Sequence, residues 1–418
     1  MPKPYPRKER LEELIALARR YRDWTDKQLA LELGRNVHNL VPDSGVPKLD
    51  LVMRLAEALD WPVDIAVREL CEDLHVAPAP AVDGRSAAEL LREGYSEVNR
   101  RNHRHAAELA RMAHAKAKDN QEMRQRATLL LFNCLDQLGH YTQALDVLRL
   151  ALRETDGAVL FGPWLRADLA GVHYILGHYD EAEGIATSLV SSLNDVDEAD
   201  PRRQPLGLAF VVRGQCQRVR AGAHVESRQQ LAEDAIRDLS VGASILETGA
   251  RQEGLARDGA IAHMCRGGML EMQALLGMTP PDEALTRFLD ELDSPLKSAN
   301  GEQTPWLEAR GWWCIYGSNV AMRHLSDPAD LQHAMAILTN KADEIAEQLG
   351  HWALREHVWA LEHTRRRMQE NGGSGRQEDW VLDKDDLRIV TGAIGRFPTF
   401  RETGWQILRS VRLVEDPS

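Results

Sequence analysis

The tetrapeptide Leu-Gly-His-Tyr occurs at residues 138–141 and again at residues 176–179, 38 residues further along the chain. The stretch 127–152 around the first copy carries apolar residues at helical spacing, which predicts two α-helices joined at the tetrapeptide. A hairpin of two such helices cannot bury both of its apolar faces alone. It needs similar hairpins above and below it, so the repeat predicts a stack of antiparallel helical hairpins.

Small residues follow the same period. Ala106, Ala144 and Ala182 are each 38 residues apart, and small residues recur where the helices of such hairpins cross closely. The Asp-Glu-Ala segment at residues 180–182 returns at residues 282–284, which extends the stack. The pattern resembles the tetratricopeptide repeat (TPR), and this resemblance implies a right-handed α-solenoid. We expect no strands, because residues 380–382 are too short to count as one.

The first 74 residues are predicted to form a separate helical unit. We expect helices at residues 7–22, 26–33, 36–41, 48–59 and 61–74, with Thr25 as the N-cap of the second. The spacing of Ala30, Gly34 and Val37 suits a helix-turn-helix, since a small residue lets two helices approach and glycine allows the turn. Together with residues 50–70, this segment resembles the Cro/repressor-like (XRE) helix-turn-helix family.

That resemblance implies DNA contact through polar residues that follow the turn. They are Arg35, Asn36, His38, Asn39 and Lys48. The alternative is a degenerate helix-turn-helix that serves dimerisation or docking. Two observations support it: Pro42 shortens the third helix, and residues 1–75 hold 12 basic against 14 acidic side chains, which is not the basic surface of a strong DNA-binding domain.

Composition shifts divide the chain into four parts. We predict a helix-turn-helix domain at 1–74, a Pro/Ala-rich linker at 75–84, TPR-like helical repeats at 85–295, and C-terminal helical repeats with a cap at 296–418. The predicted fold class is therefore all-α, with an N-terminal helix-turn-helix bundle followed by a TPR-like right-handed α-solenoid.

Charge and cysteine usage narrow the functional classes. The formal net charge of −13 argues against non-specific coating of nucleic acid or of an anionic membrane. We find no run of about 18 apolar residues, so no membrane association is expected. The five cysteines are scattered without a CxxC pair, which favours buried free thiols in a reducing compartment. A cytoplasmic location is predicted.

The sequence lacks the motifs that catalysis or cofactor binding commonly needs. It contains no HExxH, no GxSxG, and no Gly-rich phosphate loop of the GxGxxG or GxxxxGK[ST] type. Histidines two or six residues apart do not meet on one helix face at metal distance. We therefore predict no catalytic residues, no metal site and no cofactor, and expect a protein that is not an enzyme.

A solenoid instead offers a concave wall, formed by the first helix of each hairpin. Overlaying the TPR pattern places nine side chains there: Arg92, Tyr95 and Asn99 in the first hairpin, Asn133, Asp136 and Gln137 in the second, and Trp164, Asp168 and Tyr174 in the third. Amide side chains suit an extended peptide backbone, because each offers a donor and an acceptor. The alternative is a solvated helix face without a ligand.

A helix-turn-helix unit followed by a helical repeat array resembles the RRNPP-type regulators, intracellular sensors whose TPR array binds a short peptide and dimerises. The resemblance implies a homodimeric transcriptional regulator that binds operator DNA and senses a peptide or protein ligand. The competing hypothesis is a TPR scaffold or adaptor whose helix-turn-helix mediates protein contact or dimerisation and does not bind DNA.

Overall fold

The computed structural model describes residues 7–22, 24–42, 47–59, 84–117, 120–154, 161–295, 303–369 and 380–413, and the single positions 63, 67 and 70. Almost all of these residues that lie in regular structure are helical, so the predicted all-α class is confirmed. The chain divides into two compact units, Met1–Arg85 and Ser86–Ser418. Within the described ranges, none of the helices combines the length and apolar character needed to cross a membrane.

In the described part of the N-terminal unit, three α-helices and one short turn of 3₁₀-helix pack around a small apolar core. They are α1 (Arg7–Arg22), α2 (Asp26–Glu32), the 3₁₀ turn (Val37–Asn39) and α3 (Leu49–Leu59). Leu11, Leu29 and Leu55 are fully buried between them. Thr25 caps α2 as predicted, because its hydroxyl accepts from the Gln28 amide while the Gln28 side chain accepts from the Thr25 amide.

One predicted element of this unit is wrong. The third helix, expected at residues 36–41, is only the three-residue 3₁₀ turn. Pro42 explains the difference, since a proline disfavours helical geometry in the residue before it. The fifth predicted helix, at 61–74, lies mostly outside the described residues, although Val63, Val67 and Leu70 are helical. The predicted linker at 75–84 lies outside them except for Gly84.

The second unit is a run of antiparallel helical hairpins. Hairpins 1 to 6 are α4 (Ala87–Asn99) with α5 (His103–Lys116), α6 (Gln121–Gln137) with α7 (Tyr141–Glu154), α8 (Gly162–Ile175) with α9 (Tyr179–Leu193), α10 (Arg203–Ala223) with α11 (Arg228–Glu253), α12 (Ala256–Leu275) with α13 (Pro281–Asp293), and α14 (Thr304–His324) with α15 (Pro328–Leu349). Most first helices of successive hairpins also contact each other.

The Leu-Gly signature marks equivalent bends. Gly139, Gly177, Gly277 and Gly350 each have a positive φ of 67° to 78°, which glycine adopts without strain. In all four, the amide after the glycine donates to the carbonyl five residues earlier, at 2.8 or 2.9 Å. This is the Schellman closure of a helix C-terminus. The repeated tetrapeptide therefore predicts the positions of two structurally identical turns.

The array ends in a cap that folds back onto its own beginning. The cap consists of α16 (Trp352–Gln369), β1 (Trp380–Leu382), α17 (Lys384–Arg396), a 3₁₀ turn (Pro398–Phe400), α18 (Arg401–Arg409) and β2 (Val411–Leu413). A Cβ at Gly139 would lie 2.5 Å from Cδ1 of Trp352, and one at Gly177 would lie 2.5 Å from Cγ2 of Thr399. One apolar core therefore includes both the first hairpins and the last helices.

The prediction that the chain contains no strands is also wrong. Residues 380–382 pair in parallel with residues 411–413, in a two-stranded sheet. Trp380 explains why this short run is ordered: its indole is buried, lies 5.5 Å from the ring of Trp359 and has the Arg366 guanidinium 3.7 Å from its ring centre. Each residue of this run pairs with one 31 residues further along the chain, so a local pattern cannot reveal the pairing.

Four cysteines lie within the described residues, and all are buried free thiols, as expected: Cys134, Cys216, Cys265 and Cys314. Burial raises the pKa of the Cys134 thiol to about 11 and that of the other three to about 12. At neutral pH these groups are protonated and pack as small apolar side chains. Cys71 lies outside the described residues.

Candidate ligand cavity and N-terminal turn

A cavity of about 590 Å³ lies inside the second unit. One wall is formed by the C-terminal ends of α4 and α6, and the opposite wall by the N-terminal halves of α12 and α14. Leu349 and His351, at the bend after α15, complete the lining. The cavity therefore lies between hairpins that are about 100 residues apart in sequence, and it exists only because the array closes on itself.

Four of the nine side chains predicted for the concave wall line this cavity: Asn99, Asn133, Asp136 and Gln137. The last three share one face of α6, because residues three or four apart on a helix are neighbours. The lining also includes the apolar side chains of Ile261, Met264 and Trp312 and the charged side chains of Arg257 and Glu308. Apolar side chains together with a small number of polar groups are the usual composition of a ligand site.

The other five predicted residues lie elsewhere. Arg92 and Tyr95 are exposed on α4 and do not line the cavity, and neither does Trp164, which is half-buried at the start of α8. Asp168 does not line the cavity, but it interacts electrostatically with Asp136 and Arg257, which do.

Tyr174 belongs to a different, buried polar cluster. Its hydroxyl accepts from Nη2 of Arg218 at 3.3 Å. Arg218 also donates to Glu271 at 2.7 Å, and Arg323 donates to the second oxygen of the same carboxylate at 2.7 Å. Since Glu271 and Arg218 are almost completely inaccessible to solvent, this Arg-Glu-Arg cluster packs hairpins 4, 5 and 6 together. Tyr174 thus contacts the protein's own charges.

Burial dominates the electrostatics of the two inner aspartates. It raises the pKa of Asp136 to about 6; the negative charge of Glu308 adds to this, while His351 and Arg257 oppose it. Burial raises the pKa of Asp168 to about 7, with Arg257 opposing and Asp136 adding. Within the described residues, no ion pair joins either carboxylate to a basic side chain. Both groups therefore change protonation near neutral pH.

Glu308 and His351 form a pair in the cavity whose charges compensate each other. Burial favours the neutral forms of Glu308 and His351, but each stabilises the charged form of the other. The pKa of Glu308 consequently lies below its ordinary value and that of His351 above. Nε2 of His351 is 3.3 Å from the Glu308 carboxylate, and the His351 ring makes an edge contact with Trp312 at 6.1 Å between centres. The pair fixes one corner of the site.

The sequence analysis missed the wall opposite the predicted one. Arg257, Glu308, Trp312 and His351 all line the cavity, but residues 201–295 depart from the 38-residue period, so no register could be carried into them. A usable signal was present: Leu-Gly recurs at 276–277 and 349–350. Counting back from those bends would have located the inner faces of α12 and of the helices around it.

The N-terminal turn places the predicted DNA contacts as follows. Asn36, Asn39 and Lys48 are exposed, and the side chain of His38 lies outside the described residues. Arg35 is partly buried, and its Nη2 is 3.3 Å from Oδ1 of Asp50. The turn therefore presents two amides and one ammonium group, while its own guanidinium is engaged by a carboxylate of α3.

Within the part of the chain that the structure describes, no group of three or more His, Cys, Asp or Glu side chains is arranged to hold a metal ion. The cavity lining offers hydrogen bonds, charge and apolar contact to a ligand. Its lining includes amides, carboxylates, imidazoles, one indole and the guanidinium groups of Arg101 and Arg257.

Comparison with known proteins gives a limited result. The sequence matches no protein-family model and no curated protein. Among solved structures, it is similar to a Rap protein complexed with Competence and Sporulation Factor (12% identity, TM-score 0.43, 96% of this chain and 99% of that chain). It is also similar to Bacillus thuringiensis PlcR in complex with the peptide PapR7 and DNA (12% identity, TM-score 0.28, 84% and 99%).

Proposed function

We propose that this chain is a peptide-responsive regulator whose solenoid binds an extended peptide in the cavity between hairpins 1 and 2 and hairpins 5 and 6. The observation that carries the proposal is the cavity itself. Its volume of about 590 Å³ falls within the range of roughly 300–1,000 Å³ that is typical of ligand sites. Its lining combines the amides of α4 and α6 with apolar and charged side chains of α12 and α14.

The amide wall suits a peptide backbone. Asn133 and Gln137 lie one helical turn apart on α6, and Asn99 projects from the neighbouring α4. Each carboxamide donates and accepts at once, as a main-chain amide does, so the three together match the alternating groups of an extended strand. Ile261, Met264 and Trp312 then receive an apolar side chain of the peptide.

Ligand binding is coupled to the curvature of the array, because residues from both ends of the array line the cavity. A ligand that contacts α6 and α14 together favours one spacing of the two walls, and therefore one curvature of the stack. In the proposed mechanism this change alters how two N-terminal units of a cytoplasmic homodimer engage operator DNA. Asn36, Asn39 and Lys48 are the exposed side chains that we propose contact the DNA, together with Arg35 and His38.

A second candidate is supported by a specific observation at the N-terminal turn. The element that would enter the major groove is a three-residue 3₁₀ turn, and Arg35 is paired with Asp50. Both features reduce what the unit offers to a phosphate backbone. In this alternative the chain is a peptide-responsive adaptor, and the N-terminal unit contacts a protein or a second copy.

Peptide binding is tested with an immobilised array of linear peptides of about six to eight residues, followed by fluorescence anisotropy on the peptides retained. The double variant Asn133→Ala/Gln137→Ala should bind them at least about tenfold more weakly, since it removes two hydrogen-bonding groups from the cavity. The matched control is Gln121→Ala, at the exposed start of the same helix. Equal affinity of the double variant and the control would refute the site.

DNA binding is tested by a gel shift against the DNA upstream of the chain's own gene, at moderate salt. The wild type should retard the fragment, and Arg35→Ala/Asn39→Ala should not. Unchanged mobility with the wild type would reject the DNA-binding regulator and favour the adaptor.

A further inference from the structure

The bend of hairpin 1 differs from the bends that follow it. Arg101 stands where the bends of hairpins 2, 3 and 5 have glycine, and its φ of 60° makes it the one non-glycine residue with positive φ among the described residues. The hydrogen bonds are those of the glycine bends: the Arg101 amide donates to Val98, and the Asn102 amide to Glu97. Positive φ is unfavourable for arginine, so a side-chain interaction that glycine lacks must compensate.

The side chain of Arg101 reaches the far end of the array. Its Nη2 donates to Oγ1 of Thr304 at 3.0 Å, and its Nη1 donates to the carbonyl oxygen of Gln348 at 3.4 Å. Thr304 is the first residue of α14, and Gln348 lies in the last turn of α15. The carbonyls of a helix's last turn lack intrahelical donors and carry partial negative charge, so they attract a guanidinium.

These contacts cross the rim of the cavity. Arg101, Thr304 and Leu349 all line it, and Arg101 and Thr304 are exposed, whereas Ala260, Ala309 and Trp312 deeper in the lining are buried. The Arg101 side chain therefore connects the two walls at the solvent-facing edge, where a ligand would enter.

The second and third bends are attached to the same C-terminal region in another way. Trp352 packs on Gly139 and Thr399 on Gly177, and the ring of Tyr141 lies 5.3 Å from that of Phe397. Those contacts are mainly apolar and partly buried. The first bend is held by two hydrogen bonds that water can replace, so it is the closure that opens at the lowest cost.

We propose that Arg101 is a latch: its hydrogen bonds to Thr304 and Gln348 hold the rim of the cavity closed, and their release separates hairpin 1 from α14 and α15 to admit the ligand. The inference rests on the proposed function only in identifying the cavity as the ligand site. The closure itself is a property of the unliganded chain and is measured without any peptide.

The test is amide hydrogen exchange, followed by mass spectrometry, on the full chain carrying Arg101→Gly. This variant keeps the bend, since glycine occupies the equivalent position elsewhere, and removes the latch alone. Exchange should accelerate by about threefold or more in peptides covering residues 303–312 and 343–354, with no change at the second and third bends. The matched control is Arg100→Ala, because the Arg100 side chain pairs with Glu97 of its own hairpin.

A second variant tests the latch independently, in case Arg101→Gly does not fold. Thr304→Val removes one of the two acceptors at nearly constant volume, and it should give a smaller acceleration in the same two segments. The latch is rejected if Arg101→Gly exchanges like the wild type there, or if exchange rises equally at Gly139 and Gly177. If the wild type binds none of the peptides but Arg101→Gly still exchanges faster in these segments, the proposed function is rejected and the latch stands.

Discussion

The interior of the solenoid holds two polar regions that treat their carboxylates in opposite ways. Glu271 is completely buried and receives one guanidinium on each oxygen, from Arg218 and Arg323. Asp136, which lines the cavity, and Asp168 beside it have no ion-pair partner within the described residues, and burial raises their pKa. The chain thus pairs the carboxylate on which helix packing depends with two cations and, in the part that the structure describes, leaves Asp136 and Asp168 without an ion pair.

The difference separates a structural cluster from a binding region. Removing one member of a buried cluster of a carboxylate and two cations lowers the stability of the fold, because the remaining charges are left unpaired in a low dielectric. An uncompensated carboxylate at a cavity lowers the stability of the empty protein, and a ligand or a proton can remove that cost. The same substitution, carboxylate to amide, should therefore have opposite effects in the two regions.

The largest effect is expected for Glu271→Gln. The change leaves Arg218 and Arg323 facing each other without an anion, and it should lower the free energy of unfolding by about 3 kcal/mol, measured by urea denaturation at pH 8. The control is Glu247→Gln, which breaks the partly exposed pair with Arg266 and should cost less than about 1 kcal/mol. Similar losses for both variants would contradict the distinction between the two regions.

An effect of opposite sign is expected for Asp168→Asn. The pKa of Asp168 is about 7 in the folded chain against an ordinary 3.8, so the folded state binds the extra proton between these values and the wild type loses stability as pH rises from 4 to 7. At pH 8 the variant should be more stable than the wild type, on the order of 1 kcal/mol. The gain should vanish near pH 4.

The measurement is urea denaturation of both proteins across that pH range. Asp136→Asn should show the same behaviour with a smaller gain, since its pKa is raised only to about 6. If Asp168→Asn destabilises the protein at pH 8, this aspartate is compensated like Glu271, and the comparison fails.

The smallest effect on stability is expected for an exposed pair, Arg35 with Asp50. Asp50→Asn should change the free energy of unfolding by less than about 0.5 kcal/mol, because solvent screens the interaction. It should nevertheless raise operator affinity by about two- to fivefold in a gel shift, since it removes a negative charge and frees a guanidinium. Lys48→Gln, which removes a predicted phosphate contact, should lower that affinity; unchanged mobility in both would favour the adaptor.

Local signals in the sequence predict the turns of the array well. Leu-Gly at residues 138–139 and 176–177 identifies the bends. A helix that ends in a Schellman closure needs one residue with positive φ, and the glycine of each pair has it. Once the bends are known, the helical period fixes the inner face of α6. For this reason Asn133, Asp136 and Gln137 were placed on the wall that the cavity has; their role as ligand contacts remains a prediction.

The remaining features depend on long-range contacts that no local pattern encodes. Arg257, Glu308 and His351 meet α6 only because the array closes, and Trp380 is ordered by a strand at residues 411–413. The first bend escaped detection for a related reason: Arg101 has the geometry of glycine but not its identity. The third helix of the N-terminal unit is shorter than its helical spacing predicts, since only a three-residue 3₁₀ turn precedes Pro42.

The return of the C-terminal cap onto Gly139 and Gly177 has a consequence for how this chain folds. In an open repeat array each unit touches only its neighbours, so terminal repeats fray independently and folding can start anywhere. Here the first hairpins and the last helices share one apolar core. The core of the early hairpins therefore stays incomplete until about the last 60 residues have been synthesised. The second unit should thus melt in a single cooperative transition, and nascent chains should depend on protection during translation.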